Sequence, residues 1–169
     1  MPAQPHTVLF LCNHNSARSI MAEALLNHLA DGRFRAFSAG IQRSEGPHPM
    51  ALKVLDAEGI ATAGLASKQW EVFSRPDAPV IDMLITVCDE AAGEACPVWP
   101  GHTIMAHWGI EDPSLMEGAE IERERAFVTA LRYLRNRVKV LLSLPVASLV
   151  TLTARVRQIG ELEGASVRR

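Results

Sequence analysis

The sequence contains no block of like charge. Its 17 lysines and arginines are nearly balanced by 19 aspartates and glutamates, which gives a formal net charge of −2. Proteins that bind nucleic acid or an anionic membrane through their surface usually concentrate positive charge in a patch or run. We therefore expect neither nucleic acid nor a membrane as a partner, and any anionic ligand should be small and bound locally.

Long apolar segments are also missing. Residues 1–7 have neither the basic region nor the apolar region of a secretory signal peptide. Residues 138–153 are apolar but contain Lys139 and Pro145, so they are too short and too interrupted to span a bilayer. The sequence predicts a cytoplasmic protein, and it shows no internal repeat.

Cysteine is scarce, with three residues at positions 12, 88 and 96. An odd number of cysteines in a cytoplasmic protein argues against a framework of structural disulfides and favours reactive thiols. The chain has 169 residues, of which 48% are hydrophobic. That is enough for one substantial core, so we expect one domain over residues 1–145 and a C-terminal extension over 146–169 that forms a short helix.

The most informative motif is the loop between Cys12 and Arg18, which lies between an apolar run at 8–11 and an amphipathic stretch at 20–29. Backbone N–H groups and a helix N-terminus at such a loop can bind anionic oxygens, and an arginine can hold two of them in a planar fork. The same positive field stabilises a cysteine thiolate. The predicted oxyanion-binding residues are Asn13, His14, Asn15, Ser16, Ala17, Arg18 and Ser19. The hydroxyls of Ser16 and Ser19 are also expected to lower the pKa of the Cys12 thiol.

A Cys-x5-Arg match by itself is weak evidence, because a cysteine at a strand end is often a small hydrophobic residue of the core. The strand before the loop and the helix after it favour catalysis. Asp112, followed by Pro113, is a candidate general acid for a departing oxygen, although Asp-Pro is also common in simple turns. Glu111 is adjacent, and the spacing does not decide between the two carboxyl groups.

Apolar strand patterns alternate with helical patterns along the chain. Strands are predicted at 6–12, 34–39, 82–88 and 102–108, and helices at 19–31, 49–58, from Ser67 to before Pro76, and at 120–144. This alternation predicts a three-layer α/β fold with a central, mostly parallel four-stranded sheet flanked by helices. Ligands of such folds bind at the carboxyl ends of the strands, where Cys12 and Cys88 both fall.

Several separated motifs resemble the low-molecular-weight protein tyrosine phosphatase family over roughly residues 7–144. They are the Cys12–Arg18 loop, Phe-Ser-Ala-Gly at 37–40 and Asp112-Pro113. The segment 86–101 and the sequence His-Trp-Gly at 107–109 resemble the arsenate reductase branch, which adds two redox cysteines. The resemblance implies a thiol-dependent arsenate reductase, with Cys12 as nucleophile, Arg18 as oxyanion clamp and Asp112 as general acid.

By the same resemblance, Cys88 and Cys96 are the pair that resolves the covalent intermediate through a disulfide cascade. The implied partners are arsenate, with phosphate or sulfate able to occupy the same loop, and thioredoxin or glutaredoxin with glutathione as reductant. No cofactor is implied. The chemistry is consistent, because reduction of As(V) to As(III) takes two electrons, which two thiols supply when they form a disulfide.

Other interpretations of these residues stay open at this point. A phosphatase would use only Cys12, Arg18 and Asp112, and a non-catalytic oxyanion-binding module would need no thiol chemistry at all. Cys88 and Cys96 could form a metal clip, although Cys-x7-Cys lacks zinc-knuckle spacing, or Cys96 could be structural.

The chain departs from the family at three places. Asn13-His14 stands where many members have Thr-Gly, and Ser114-Leu115 replaces the aromatic residues that grip an aryl substrate, which favours a small inorganic one. Some relatives bind potassium through Asn, Glu, Ser and Asp residues. The first three positions correspond to Asn15, Glu23 and Ser38, but Lys68 stands at the fourth, so we expect no metal site.

Overall fold

A computed structural model of the protein describes residues 4–42, 44–88, 103–145 and 149–166. Four strands form one parallel sheet in the order β2-β1-β3-β4. They are β1 His6–Cys12, β2 Phe34–Gly40, β3 Met83–Thr86 and β4 Ile104–His107. This confirms the predicted sheet, although β3 and β4 are shorter than their apolar runs because only four residues of each pair with a neighbour.

Helices flank the sheet and complete the three-layer α/β fold. They are α1 Arg18–Leu29, α2 Pro49–Ala57, α3 Glu120–Ser143 and α4 Leu149–Ile159. Two 3-10 turns, Trp70–Phe73 and Pro113–Leu115, complete the regular elements of the described residues. No helix in the described part of the chain is both long enough and apolar enough to cross a membrane.

The helix predicted from Ser67 is wrong, since this region holds only the short 3-10 turn Trp70–Phe73. Gln69 still forms a parallel bridge to Gly40, so the chain remains extended up to that residue. Trp70 and Phe73 are three residues apart, a spacing that a single 3-10 turn places on one side. Pro76 then prevents the turn from growing into a longer helix.

The register of the central strands brings the functional loops together. Leu11 pairs with Thr86, and the N–H of Val87 donates to the carbonyl oxygen of Leu11 at 2.9 Å. Strands β1 and β3 therefore end side by side, and Cys12 and Cys88 follow at the same edge of the sheet. β4 ends there as well, because the N–H of Trp108 donates to the Thr86 carbonyl oxygen at 2.7 Å.

The C-terminal extension packs on β4, the last strand in the sheet order. The indole N–H of the fully buried Trp108 donates to the carbonyl oxygen of Val156 in α4 at 2.8 Å. Arg157 also binds the sheet, since its Nε donates to the carbonyl oxygen of Met105 at 3.0 Å. Residues 149–159 thus form the short helix predicted for the extension, and the helix is docked on β4.

Gly40, at the end of β2, lies against the Cys12–Arg18 loop. A Cβ atom at this position would overlap the carbonyl oxygen of Gln42 and would lie 2.9 Å from that of Asn13 and 3.0 Å from the backbone nitrogen of Asn15. These neighbours are backbone atoms, so they cannot move without moving the loop. The close approach explains a glycine here.

We predict that Gly40→Ala lowers the free energy of unfolding by about 1–3 kcal/mol, because the methyl group must push the loop away from β2. Gly46→Ala is the matched control, since a Cβ there meets nothing within 4 Å. Urea unfolding of both variants measures the difference. If Gly40→Ala and Gly46→Ala had the same free energy of unfolding, the loop would be able to move away from β2 without loss of stability.

Candidate active site

The loop from Cys12 to Arg18 is held by hydrogen bonds to its carbonyl oxygens. Those of Cys12 and Asn13 accept from the backbone N–H groups of residues 41 and 42, at 3.0 and 2.8 Å. The carbonyl oxygen of His14 accepts from the hydroxyl of Ser67, and that of Ser16 accepts from the N–H of His48. These bonds fix the backbone of the loop, and loops of this kind bind an anion through their N–H groups.

Asn15 fixes the shape of this loop. It has a left-handed backbone conformation, with φ of 50°, which asparagine tolerates better than most residues. Its side chain is fully buried, with Nδ2 donating to the hydroxyl of Ser19 at 2.8 Å and Oδ1 accepting from the N–H of Lys68 at 2.8 Å. The Asn15 side chain therefore ties the loop to Ser19 and Lys68, while the predicted role of Asn15 and Ser19 in binding the oxyanion stays a prediction.

Arg18 is the first residue of α1 and is nearly buried. Its Nη1 donates to the carbonyl oxygen of Ile110 at 2.9 Å, and its Nη2 lies 3.4 Å from Oδ2 of Asp112. Ala17 occupies the N-cap position of α1, and its methyl group offers no acceptor to the first helical N–H groups. The guanidinium and the helix N-terminus thus present positive charge to the same space.

Asp112 faces this space from the opposite side. Its Oδ1 accepts from both the backbone N–H and the hydroxyl of Ser114, which fixes the carboxyl group, while Oδ2 remains toward Arg18. The side chain is 26% exposed, so protons can exchange with solvent. Glu111 is exposed. The structure therefore brings Asp112 to the loop, and this position favours it over Glu111 as the acid.

Cys12 and Cys88 form a buried pair of thiols, 5% and 0% exposed. The pKa of Cys12 is held below its ordinary value, chiefly by a hydrogen bond from the Cys88 side chain. The positive charge of Arg18 and the backbone of Asn13 act in the same direction, while burial and the charge of Asp112 oppose them. The sulfur of Cys88 in turn accepts the N–H of Asn13 at 3.0 Å.

Sequence reasoning anticipated the positive charge of Arg18 and the loop as a cause of the low pKa, but not the hydrogen bond from Cys88. The expected contribution of the Ser16 and Ser19 hydroxyls stays a prediction; the Ser19 hydroxyl accepts from Asn15 at 2.8 Å. The position of Cys88 at a neighbouring strand end was the available signal. Cys96 lies outside the described residues, so its predicted role remains a prediction.

The buried residues Glu23 and Ser38 and the partly exposed Lys68 form a polar group behind the loop. The Ser38 hydroxyl donates to Oε1 of Glu23 at 2.9 Å, and Nζ of Lys68 lies 3.9 Å from the same oxygen. Burial raises the pKa of Glu23, while Lys68 and Ser38 lower it in part. Because the Lys68 ammonium already supplies positive charge beside Glu23, these residues do not fit a potassium ion.

His48 is a residue near the site that sequence reasoning did not single out. Its Nδ1 accepts from the N–H of Met50 at 3.1 Å and caps α2, and its ring packs against Phe127 with centroids 4.8 Å apart. Burial, then Arg123, lowers the pKa of His48, and the charge of Asp112 raises it in part. The available signal was Pro49, since proline favours the first helical position.

Comparison with known proteins gives consistent relatives. Residues 7–151 match the family described as low molecular weight phosphotyrosine protein phosphatase. An arsenate reductase from Bacillus licheniformis is 37% identical over 135 residues, covering 79% of this chain and 92% of the relative. An arsenate reductase from Shouchella clausii is 33% identical over 132 residues, covering 78% and 91%.

Solved structures agree with these sequence relatives. An arsenate reductase in a phosphate-binding state has a TM-score of 0.67 and 29% identity, covering 82% of this chain and 97% of that one. A thioredoxin-dependent arsenate reductase from Corynebacterium glutamicum has a TM-score of 0.56 and 25% identity, covering 82% and 64%.

We predict that Cys88→Ala moves the alkylation of Cys12 to higher pH. The pKa of Cys12 is lowered mainly by the hydrogen bond from Cys88, so removing the donor raises it and reduces the thiolate fraction at any pH below the new midpoint. Cys88→Ser, which keeps a hydrogen-bond donor, is the control and should shift less. Peptide mass spectrometry of the iodoacetamide adduct at Cys12, against pH, measures both midpoints. An unchanged midpoint in Cys88→Ala would contradict the assignment.

Proposed function

Because the chain belongs to the low-molecular-weight phosphotyrosine phosphatase family and, within it, to the arsenate reductases, we propose that it reduces arsenate to arsenite through a relay of cysteine thiols. The observation that carries this proposal is the fully buried Cys88 thiol in hydrogen-bond contact with Cys12. A hydrolase needs the nucleophile, the arginine and the acid, but it has no use for a second thiol at the nucleophile.

The first step is binding of arsenate in the loop of residues 12–18. The backbone N–H groups, the N-terminus of α1 and the guanidinium of Arg18 offer donors and positive charge to a tetrahedral oxyanion. Arg18 must give up part of its interaction with Asp112 to hold the anion in a bidentate fork. Phosphate and sulfate have the same shape and charge, so they should compete for the loop.

The second step is formation of a covalent adduct. The Cys12 thiolate attacks arsenic, a sulfur–arsenic bond forms, and one arsenic–oxygen bond breaks. Asp112 gives its proton to the departing oxygen, which leaves as water. The loop donors and Arg18 stabilise the negative charge on the remaining oxygens throughout.

The third step is the transfer of two electrons to arsenic. Cys88 gives its proton to an oxygen of the adduct and, as a thiolate, attacks the sulfur of Cys12. The sulfur–arsenic bond breaks, and arsenite leaves with the electron pair. A Cys12–Cys88 disulfide remains, so the two thiols have supplied the two electrons. The N–H of Asn13, 3.0 Å from the Cys88 sulfur, stabilises the negative charge that develops there.

Burial of both sulfurs supports a role for a third thiol. Cys12 is 5% exposed and Cys88 is 0% exposed, so an external reductant cannot reach a disulfide between them directly. We propose that Cys96 attacks Cys88, frees Cys12, and carries the disulfide to a position where a partner can reduce it. Thioredoxin is the partner we favour, with glutaredoxin and glutathione as the alternative, and the reducing cytoplasm is the compartment in which either would act.

We predict that the two later cysteines separate reductase from phosphatase. After one exposure to arsenate without reductant, nonreduced peptides of the wild type should link Cys88 to Cys96, because the cascade stops there. The Cys96→Ser variant should accumulate a Cys12–Cys88 disulfide, and Cys88→Ser should stall at the adduct. Mass spectrometry reads the linkages.

Release of phosphate from an aryl phosphate is the control measurement, because hydrolysis does not require Cys88 or Cys96. Three free thiols in the wild type after arsenate exposure, with no arsenite formed and with phosphate released, would replace the reductase by a phosphatase.

We also predict that Asp112→Asn slows adduct formation strongly, by about 100-fold or more, because the departing oxygen loses its proton donor. Phosphate binding should change far less, since the acid acts on the leaving oxygen. Glu111→Gln is the matched control and should leave the rate of adduct formation near that of the wild type. Rapid-quench measurement of the Cys12 adduct tests both variants, and the reverse pattern would move the acid role to Glu111.

A further inference from the structure

The segment that follows α4 makes contacts that reach the active site. Residues 160–166, which we call the C-terminal strap, lie beyond the stretch 7–151 that matches the family. Gly160 starts the strap in close contact with the end of β4, where an added Cβ would overlap the carbonyl oxygen of His107. The strap therefore leaves α4 beside the strand that leads to Asp112.

A buried arginine anchors the strap to α3. Arg137 is 0% exposed, and its guanidinium donates to the carbonyl oxygens of Leu162 at 3.2 Å and Glu163 at 3.1 Å, as well as to that of Tyr133. A buried guanidinium is costly unless its donors find acceptors. The Nη1 and Nη2 donors of Arg137 therefore hold the strap carbonyl oxygens in place, while its buried Nε has no hydrogen-bond partner among the described residues.

A glycine lets the strap lie flat against the same helix. Gly164 has a φ of +93°, and a Cβ at this position would overlap the ring of Tyr133. Both the backbone conformation and the available space therefore require glycine. The chain then extends alongside the loop that joins β4 to Asp112.

The strap pairs with that loop through its backbone. Ala165 forms an antiparallel bridge with Ile110, and the N–H of Ser166 donates to the carbonyl oxygen of Gly109 at 3.0 Å. The Ile110 carbonyl oxygen accepts from Nη1 of Arg18 at 2.9 Å. Two residues further on lies Asp112, which contacts the other nitrogen of the same guanidinium.

We propose that the C-terminal strap positions the oxyanion clamp: by pairing with Gly109 and Ile110, it holds the Ile110 carbonyl oxygen where it orients the guanidinium of Arg18. Gly109 has wide conformational freedom. The Ile110 N–H donates to the Val87 carbonyl oxygen over a nitrogen–oxygen distance of 3.4 Å, which is long for a hydrogen bond. The bridge to the strap adds a second backbone constraint on Ile110. The inference rests on the proposed function in that it assigns Arg18 to the bound anion.

The direct test removes one hydrogen bond. Ser166→Pro takes away the N–H that donates to Gly109, and proline favours an extended residue before it, as a bridge requires. Ser166→Ala keeps the N–H and controls for loss of the hydroxyl. Inorganic phosphate is the probe, and its affinity is measured as protection of Cys12 from iodoacetamide.

We expect phosphate affinity to fall about tenfold in Ser166→Pro and to stay at the wild-type value in Ser166→Ala, as for loss of a hydrogen bond that orients a charged group. The pH midpoint of Cys12 alkylation should also rise, because the charge of Arg18 lowers the pKa of Cys12. A role in stability alone would move neither value in the folded protein.

A second pair of variants tests the same idea through the packing of the strap. Gly164→Ala should displace the strap and weaken phosphate binding, and Tyr133→Ala in addition should remove the overlap and restore it. Gly32→Ala is the matched control for backbone strain, with a φ of +81° and open space around the added Cβ. If Gly164→Ala acted only by straining the backbone, adding Tyr133→Ala would not restore phosphate affinity.

Wild-type phosphate affinity and alkylation midpoint in both Ser166→Pro and Gly164→Ala would overturn the inference, as would an equal loss in Ser166→Ala. The phosphate readout does not depend on arsenate chemistry. If these variants weaken phosphate binding while the wild type forms no arsenite, the proposed function fails and the role of the strap stands.

Discussion

The parallel pairing of β1 with β3 is the constraint on which the site depends. It ends both strands at one edge of the sheet and brings the sulfurs of Cys12 and Cys88 into hydrogen-bond contact in a buried place. A thiolate in such a place would be unfavourable if burial acted alone, since burial raises the pKa of a thiol. Its stability therefore comes from fixed donors, among which Cys88 contributes most.

The same hydrogen bond has two uses in the proposed mechanism. Before the reaction, the Cys88 thiol stabilises the Cys12 thiolate as nucleophile. After the adduct forms, Cys12 no longer carries a negative charge, and the hydrogen of Cys88 has lost its acceptor. The Asn13 N–H then favours the thiolate of Cys88, so the nucleophilic character passes from one sulfur to the other without a large rearrangement.

Positive charge around the loop is distributed between two layers. Arg18 faces the anion site directly, while Lys68 lies behind the loop beside Glu23 and binds Asn15 through its backbone N–H. The ammonium group of Lys68 lies beside the buried carboxyl group of Glu23 and favours its charged form. The residue that carries this second charge also holds the loop, because its backbone N–H donates to Asn15.

The sequence by itself determined the elements that rest on local pattern. Apolar runs predicted four strands, of which β1 was correct at both ends, and the Cys12–Arg18 spacing predicted an anion-binding loop between a strand and a helix. These features depend on residues near one another in the chain, so their periodicity and spacing are visible without a fold. The short turn Trp70–Phe73 was missed because the bridge from Gln69 to Gly40 keeps the chain extended up to the turn, and that bridge joins residues 29 positions apart.

The tertiary structure alone decided how distant segments act on the site. The hydrogen bond between residues 12 and 88, the contact of Arg18 with Asp112, and the pairing of residues 165–166 with 109–110 each join distant parts of the chain. The sequence placed Cys12 and Cys88 at the same end of the sheet and offered Asp112 as the acid, but it did not give these contacts. Many of these contacts are made by backbone N–H and C=O groups, which are the same in every residue except proline. Their partners are therefore set by the folded path of the chain, which the identity of the side chains does not reveal.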